Sequence, residues 1–382
     1  MLLSMIRRRP AAVLLVFARS LLVPLVAGHG SVVRPLPRQA VDADQAPWAS
    51  GAVPEPVPRV SLPNEAGTWC PVAGASGARL GKYSASLAQS CFWFSNGCAI
   101  GCHACDGSTR GPEVGPEKRK VCATPMNATL CDDRLRTVNT DAECGSAADR
   151  YAFTPWRAPG FAPVFDACGM AGGRAAGPGG HGAVYRNTSH AKQGDLGSAV
   201  LGALNTNTTW SAGDTVEVSW AITANHGGGY QYRLCPAGEP LNEACFQKTP
   251  LPFDRSRKQL FRWGGLDGTK AWFDGDYVSE GTNPPGSTWV KNPIPRNDGF
   301  TGAGFAPKCD EVPDCRTTAV ESDCLCSGMW GPYNLEIVDY VRLPSSLAPG
   351  KYVLGWRWDC EESNQVWASC SDVQITAARA SK

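Results

Sequence analysis

Short stretches of alternating apolar and polar residues in the C-terminal half limit the fold of this chain more than any other feature. Such stretches cover residues 215–222, 230–235, 335–341, 351–359 and 366–375. Alternation with a period of two, rich in β-branched and aromatic residues, is typical of strands with one buried face. The 42 Gly and 30 Pro residues favour turns between these strands. The sequence therefore predicts an all-β fold, a β-sandwich with long loops.

The first 28 residues have the composition of a secretory signal peptide. A basic segment at 7–9 precedes an apolar run at 11–26, and the small residue Gly28 follows that run. Cleavage after Gly28 would make His29 the first residue of the mature chain. We therefore assign 1–28 to a signal peptide and expect a secreted, extracellular protein.

All 17 Cys residues follow this leader, which is typical of a disulfide-stapled secreted protein. The odd number leaves at least one thiol without an intramolecular cysteine partner. Three glycosylation motifs begin at Asn127, Asn187 and Asn207 and fit surface loops of a glycoprotein. A net charge of +1 indicates no nucleic-acid partner. After the leader, no apolar run reaches the about 20 residues of a membrane span, so we expect no membrane partner. We also expect a monomer.

The mature chain is predicted to form one domain over 29–376, followed by a short polar tail at 377–382. Residues 29–68 are rich in Pro and are expected to cross the surface as an extended, irregular segment. Residues 107–150 are charged and turn-rich, with three Cys residues, and are predicted to be a stapled loop insertion.

Two groups of cysteines allow more than one interpretation. Four Cys residues and His103 between 91 and 105 could form a zinc site, and Cys102 and Cys105 have ligand-like spacing. The secreted, cysteine-rich context favours disulfides instead, so we expect both to be in disulfides. Near the C-terminus, we expect Cys360 to pair either with a distant Cys or with Cys370. Spacing alone does not choose, because connectivity is combinatorial.

An N-terminal His carries two nitrogen donors, its α-amine and its ring. Together they can chelate one copper ion, and one further imidazole completes a set of three nitrogens. We predict that His226 supplies that imidazole, because it follows a strand into a loop of three glycines that lets the backbone approach a flat metal site. If His181 or His190 lies beside His29 instead, this choice is wrong. The alternative is that His226 is an ordinary surface residue of the loop.

Three segments together resemble lytic polysaccharide monooxygenases. They are His29-Gly30 after the leader, His226-Gly227 after a strand, and the terminal segments Gly355-Trp356-Arg357-Trp358-Asp359-Cys360 and Asn364-Gln365-Val366-Trp367-Ala368-Ser369-Cys370. The resemblance implies an immunoglobulin/fibronectin-like β-sandwich with long disulfide-stapled loops. It also implies one copper ion on a flat, exposed face, bound by His29 and His226.

The activity that the resemblance implies is oxidation of a glycosidic linkage at C1 or C4 in an insoluble or polymeric carbohydrate such as chitin or cellulose. It requires an external electron donor and O2 or H2O2. Gln365 would hydrogen-bond the oxygen species next to the metal. Trp367 would occupy the axial position, without ligating, because an indole N–H can only donate.

The chain departs from the family pattern at two places. The family usually has Tyr or Phe at the axial position, where this sequence has Trp367. Many members also have a His shortly before the Gln, but no His lies between His226 and Gln365. Glu361, Glu362 or Arg357 would have to replace it, and the sequence does not choose among them.

Two other kinds of protein fit the same features. One is a non-catalytic secreted copper- or polysaccharide-binding protein on the same fold, since fold does not determine function. The other is a structural wall protein held by disulfides and glycans, without a metal. Five aromatic residues could stack on sugars, although burial in the core is the alternative for each: Trp263, Trp272, Tyr277, Trp289 and Trp330.

Overall fold

The computed structural model describes residues 29–43, 92–101, 146, 151–174, 185, 187–224, 226–263, 269–293, 335–361 and 363–379. The predicted signal peptide and almost all of the predicted insertion at 107–150 lie outside these ranges. No helix within them is long and apolar enough to cross a membrane.

Thirteen strands and a few short helical turns make up the described structure. The strands are β1 (His29–Arg34), β2 (Trp93–Asn96), β3 (Met170–Ala171), β4 (Thr209–Ser211), β5 (Thr215–Ala224), β6 (Gly229–Pro236), β7 (Gln259–Trp263), β8 (Thr269–Phe273), β9 (Tyr277–Val278), β10 (Trp289–Lys291), β11 (Leu335–Arg342), β12 (Gly350–Asp359) and β13 (Gln365–Thr376). The α-helices are α1 (Gly197–Val200) and α2 (Glu243–Phe246), and 3-10 turns cover Arg38–Ala43 and Pro155–Arg157.

The strands form two sheets. The smaller sheet has five strands in the order β1-β5-β11-β7-β8. The larger has eight, seven of them in the order β3-β2-β13-β12-β6-β10-β9, with β4 joined parallel to β13. All five predicted strand segments are strands, and the predicted all-β sandwich is confirmed.

The core lies between the two sheets and is rich in aromatic side chains. Trp220 of β5 packs against three rings of the larger sheet, with centroid distances of 4.7 Å to Tyr230, 5.0 Å to Trp356 and 5.4 Å to Trp358. Each such pair stabilises the fold by about 0.5–1.5 kcal/mol beyond burial of its area. Indole and phenol rings therefore fill the space between the two sheets around Trp220.

The described N-terminal segment differs from the prediction. Residues 29–34 form β1, which pairs antiparallel with β5 and is not an irregular surface segment. Val32, Val33 and Leu36 are buried. The prolines misled the prediction because they follow the strand, starting at Pro35, whereas the apolar residues before them had no obvious partner in sequence.

Two disulfides connect described residues. Cys168 pairs with Cys370 of β13, and Cys235 pairs with Cys245 of α2. Because Cys370 has this partner and Cys360 is a buried free thiol, the expectation that Cys360 is in a disulfide is wrong. Cys360 lies in the hydrophobic core directly after β12, and among the described residues no other cysteine pairs with it. Cys102 and Cys105 lie outside the described residues.

Candidate metal centre

Six strand ends lie at one end of the sandwich. In the smaller sheet, the start of β1 lies opposite the end of β5, with His29 opposite Ala224. In the larger sheet, Gly229 at the start of β6 lies opposite Asp359 at the end of β12, and Gln365 at the start of β13 lies opposite Asn96 at the end of β2. The loops between β5 and β6 and between β12 and β13 therefore approach each other at this end.

The backbone brings the two predicted histidines to this end. His29 is the register partner of Ala224, and His226 follows Ala224 by two residues. The side chain of His29 lies outside the described part of the structure. The expectation that the two ring nitrogens lie within about 5 Å, from metal–nitrogen bonds of roughly 2 Å on opposite sides of one ion, therefore stays a prediction.

The loop that carries His226 is tightly held by its neighbours. The His226 carbonyl accepts a hydrogen bond of 3.1 Å from the Glu361 backbone N–H. The Gly228 carbonyl accepts one of 2.7 Å from the Asn292 backbone N–H. A methyl group placed on Gly228, where φ is +77°, would lie 2.0 Å from the Asp359 carbonyl oxygen. Only glycine fits there, which explains the glycine run that follows His226.

Trp358 contacts both segments that carry the predicted histidine ligands. Its indole Nε1 donates a 2.7 Å hydrogen bond to the Gly227 carbonyl. A methyl group placed on Gly30 would lie 3.1 Å from ring atom Cζ3 of Trp358, so the ring packs directly against the start of β1. Sequence reasoning assigned Trp358 no role. The signal for it was the alternation of Trp356, Arg357 and Trp358 on one strand.

Gln365 and Trp367 share one face of β13, as their spacing predicts. The Trp367 Nε1–H donates a 3.3 Å hydrogen bond to Gln365 Oε1. The Trp367 ring stacks on Phe94 at 4.1 Å and 18°, and its centroid lies 6.2 Å from that of Trp358. Both Gln365 and Trp367 are buried. Trp367 is thus a core residue by its packing. Its axial role at the metal stays a prediction.

The structure separates the three residues considered as replacements for the histidine that many family members have shortly before the Gln. Arg357 lies on the opposite face of β12 from Trp358 and binds Asp359, Glu243 and the Ala162 carbonyl. It therefore does not fit this role. Glu361 is buried and bonded through its N–H to His226. Glu362 lies outside the described residues.

The remaining histidines and cysteines add little to this end. His103 and His181 lie outside the described residues, and His190 lies in a turn where its N–H donates to Thr188 Oγ1 at 3.1 Å. Cys98 is disulfide-bonded, so it offers no thiolate for the zinc alternative. Burial raises the pKa of the Cys360 thiol well above its usual value, which keeps it protonated and a poor metal ligand.

Of the proposed sugar-stacking residues whose side chains the structure describes, only Trp272 is largely exposed, at 52%. It lies on β8, at the opposite edge of the smaller sheet from β1. Trp289 is fully buried, Tyr277 is partly buried, and the side chain of Trp263 and all of Trp330 lie outside the described part.

No family profile matches the chain. It is 27% identical over 175 residues to "AA13 family lytic polysaccharide monooxygenase A" of Pyricularia oryzae, which covers 44% of this chain and 42% of that protein. It is 27% identical over 185 residues to a protein of the same name from Aspergillus terreus, with 44% and 41% covered. The chain thus matches about two fifths of the length of each relative. The resemblance to lytic polysaccharide monooxygenases is confirmed by these two proteins.

Solved structures of such proteins also match. A copper complex of the cellulose-active lytic polysaccharide monooxygenase CelS2 is 13% identical with a TM-score of 0.29, covering 92% of this chain and all (100%) of that one. An AA10 lytic polysaccharide monooxygenase from Streptomyces lividans is 14% identical with a TM-score of 0.21, covering 44% of this chain and 58% of that one.

Proposed function

We propose that this chain is a secreted, copper-dependent monooxygenase that cleaves glycosidic bonds of a polysaccharide by oxidation at C1 or C4. The observation that carries the proposal is the register of β1 on β5, which brings His29 and His226 to one end of the sandwich. The two curated relatives with the monooxygenase name support the same assignment.

The donor set suits copper. After cleavage of the leader, His29 would offer its α-amine and its ring, and His226 a second imidazole, all of them neutral nitrogen donors of the kind copper prefers. Trp358 packs its ring against Gly30 and donates a hydrogen bond to the Gly227 carbonyl, so it holds the two segments in place. Copper bound there, with an external electron donor, would supply the activation of O2 or H2O2.

The surrounding residues would position this chemistry. Gln365 accepts from Trp367 at its oxygen, so its NH2 group is the donor end that can face a polar reactant. Trp367 shields the site from the core side and offers no ligand atom. Glu361 holds the His226 carbonyl through its backbone. The proposed substrate is a polymeric carbohydrate.

Product analysis tests the proposal directly. Mature protein that starts at His29 is loaded with copper, supplied with ascorbate, and incubated with a panel of polysaccharides. We expect oxidised oligosaccharides by mass spectrometry, and none with His226→Ala. Copper binding without oxidised products on any polysaccharide would instead favour a non-catalytic binding protein. Absence of copper binding would favour a structural wall protein.

Correct processing is expected to be essential. One residue left before His29 turns its α-amine into an amide, which is a poor ligand, so tight copper binding should be lost. Isothermal titration of the mature chain and of a chain extended by one residue measures this. Equal copper affinity of the two forms would contradict the assignment of His29.

Trp367 tests the placement of the last strand. Trp367→Phe preserves the stack on Phe94 and should retain copper binding, because the nitrogen donors remain. We expect lower turnover and a shorter lifetime under peroxide. Trp367→Ala would confound this test, because opening a cavity of that size costs about 3–5 kcal/mol. Loss of copper by folded Trp367→Phe, or behaviour identical to the parent, would show that Trp367 is not at the site as proposed.

A further inference from the structure

A carboxyl group lies in the middle of the aromatic core. Asp339 belongs to β11 of the smaller sheet and is fully buried, on the same face as Ile337 and Val341. Two tyrosines of β6 reach it across the sandwich. Tyr230 donates to Asp339 Oδ1 at 3.1 Å, and Tyr232 donates to Oδ2 at 3.0 Å. The cluster therefore joins the two sheets through one carboxylate and two phenols.

Gln259 completes the cluster without adding charge. Its Nε2 donates to Asp339 Oδ1 and, at 3.0 Å, to the Tyr230 hydroxyl. None of the cationic side chains in the described ranges forms an ion pair with Asp339. Burial outweighs the three hydrogen bonds and raises the pKa of Asp339 to about 7. A carboxyl in this state can accept a proton at neutral pH, unlike an ordinary surface aspartate.

A continuous series of rings connects this cluster to the end of the sandwich that carries His226. Trp358, bonded to the Gly227 carbonyl, lies 5.4 Å from Trp220, and Trp220 lies 4.7 Å from Tyr230. Tyr230 and Tyr232 lie 5.9 Å apart. All four rings are buried. Adjacent, water-excluded aromatic rings of this kind can pass a single electron from one to the next.

We propose that Tyr230 and Tyr232, with Asp339 as their shared proton acceptor, form a redox-active site that receives oxidising equivalents through Trp358 and Trp220. The phenolic O–H groups lie within the 2.6–3.2 Å reach that a proton acceptor requires. The site is buried among apolar rings, so a radical formed there is shielded from solvent.

The step balances as one electron and one proton. An oxidised Trp220 ring takes one electron from a tyrosine and returns to its resting state. The phenolic proton of that tyrosine moves to the Asp339 carboxylate, which leaves a neutral tyrosyl radical beside a carboxylic acid. An external one-electron reductant restores the tyrosine, and the proton returns from Asp339. Copper held by His29 and His226, once reduced by the external electron donor, would supply the primary one-electron oxidant from peroxide, so the connection to that centre rests on the proposed function.

A copper-free experiment tests the tyrosine site alone. Full-length mature chain without copper is oxidised by a photogenerated ruthenium(III) polypyridyl complex and frozen for electron paramagnetic resonance. We expect a neutral tyrosyl spectrum that narrows when the tyrosine rings are deuterated. The spectrum should be lost in the double variant Tyr230→Phe/Tyr232→Phe. It should persist in Tyr340→Phe, a matched control, because Tyr340 also lies near a carboxylate, Glu217, but on the outer face of β11.

The proton acceptor is tested by an isosteric change. Asp339→Asn keeps a hydrogen-bond acceptor but cannot take the proton, so the tyrosyl yield should fall roughly tenfold or more, the minimum typical effect of removing a positioned base. Circular dichroism verifies that the variant is folded. Each single Tyr→Phe variant should retain part of the signal, which keeps the test valid if the double variant does not fold. A tyrosyl signal unchanged in Asp339→Asn, or retained in the double variant, would overturn the proposal.

A second arm tests the connection. Copper-loaded protein is mixed with peroxide and freeze-quenched without substrate, and the tyrosyl signal is compared with that of Trp220→Phe. We expect a signal in the parent and its loss in Trp220→Phe. A tyrosyl radical in the copper-free arm but none here would overturn the route from the metal centre while leaving the tyrosine site in place. Failure of the proposed monooxygenase activity with a positive copper-free arm would leave the tyrosine site standing on its own.

Discussion

Two acidic side chains pack against opposite faces of the larger sheet, and their pKa values are shifted in opposite directions. Asp339 reaches the inner face from β11 and receives only neutral donors, and its pKa is raised to about 7. Glu243 packs against the outer face, where burial opposes ionisation, but Arg233 and Arg357 lower its pKa to about 2. Burial acts in the same direction on both. The partners decide which acid is a fixed charge and which can take a proton.

The outer ion cluster is continuous. Arg357 Nε contacts Asp359 Oδ1 at 2.7 Å and its Nη1 contacts Glu243 Oε2 at 3.0 Å, while Arg233 Nη1 contacts the same oxygen at 2.6 Å. These paired charges hold the end of β12 in place. In the described part of the chain, no cation pairs with Asp339 in the inner cluster, so this carboxyl can take up a proton near neutral pH.

Breaking the outer cluster should have the largest effect. Arg357→Met removes the cation between Asp359 and Glu243 and leaves both carboxylates buried or half-buried. We expect a loss of about 3–5 kcal/mol in the free energy of unfolding. Urea unfolding at neutral pH measures it.

The exposed pair Lys258–Asp274 is the matched control, since Lys258→Met should change stability by at most about 1 kcal/mol. Similar effects at the two sites would mean that the outer cluster does not stabilise the fold as its burial indicates.

Asp339 should make the free energy of unfolding decrease as the pH rises, whereas most carboxylates in folded proteins make it increase. Its folded pKa is raised from about 3.9 in unfolded chains to about 7, so the folded state binds the extra proton. Stability from this group is present at low pH and is lost as the pH rises from about 4 to about 7. About three pKa units correspond to roughly 4 kcal/mol at most.

Asp339→Asn should remove that decline, so its stability relative to the parent should increase between pH about 4 and about 7. Chemical unfolding of both proteins across this window gives the difference. A difference that does not change with pH would contradict an uncompensated carboxylate at this position.

Glu243 should show the smallest and reversed effect. Its pKa is lowered from about 4.3 in unfolded chains to about 2. Its contribution is therefore present at neutral pH and is lost as the pH falls from about 4 to about 2. Two units correspond to roughly 3 kcal/mol before screening, and partial exposure of the side chain reduces that figure.

Glu243→Gln should lose its destabilising effect relative to the parent as the pH falls through that range. Thermal unfolding at pH values spaced across it provides the measurement. A constant penalty at all pH values would show that the two arginines bind the amide as well as the carboxylate.

Several features of the fold could be predicted from short-range pattern. The five strands followed from two-residue alternation, and the shared face of Gln365 and Trp367 followed from their spacing. The same alternation places Arg357 and Trp358 on opposite faces of β12. It could therefore have excluded Arg357 as a replacement for the family histidine. The loop at His226 was recognised from its three consecutive glycines, two of which, Gly227 and Gly228, adopt positive φ.

Other features depended on partners that are distant in sequence. The pairing of Cys168 with Cys370 spans 202 residues and could not be chosen among the possible connectivities. The strand at 29–34 required β5 as its partner. The burial of Asp339 could not be predicted either, because the stretch Glu336-Ile337-Val338-Asp339-Tyr340 does not show which face of the strand is covered.

The sequence by itself determined the strands and the family resemblance, because each depends on neighbouring residues or on a short motif. The junction between the leader and His29 stays a prediction from the sequence. Only the tertiary structure decided that His29 pairs beside the His226 loop, and that Asp339 meets two tyrosines without a cation. Those outcomes depend on how two sheets face each other, and a contact between sheets is a property of residues more than a hundred positions apart.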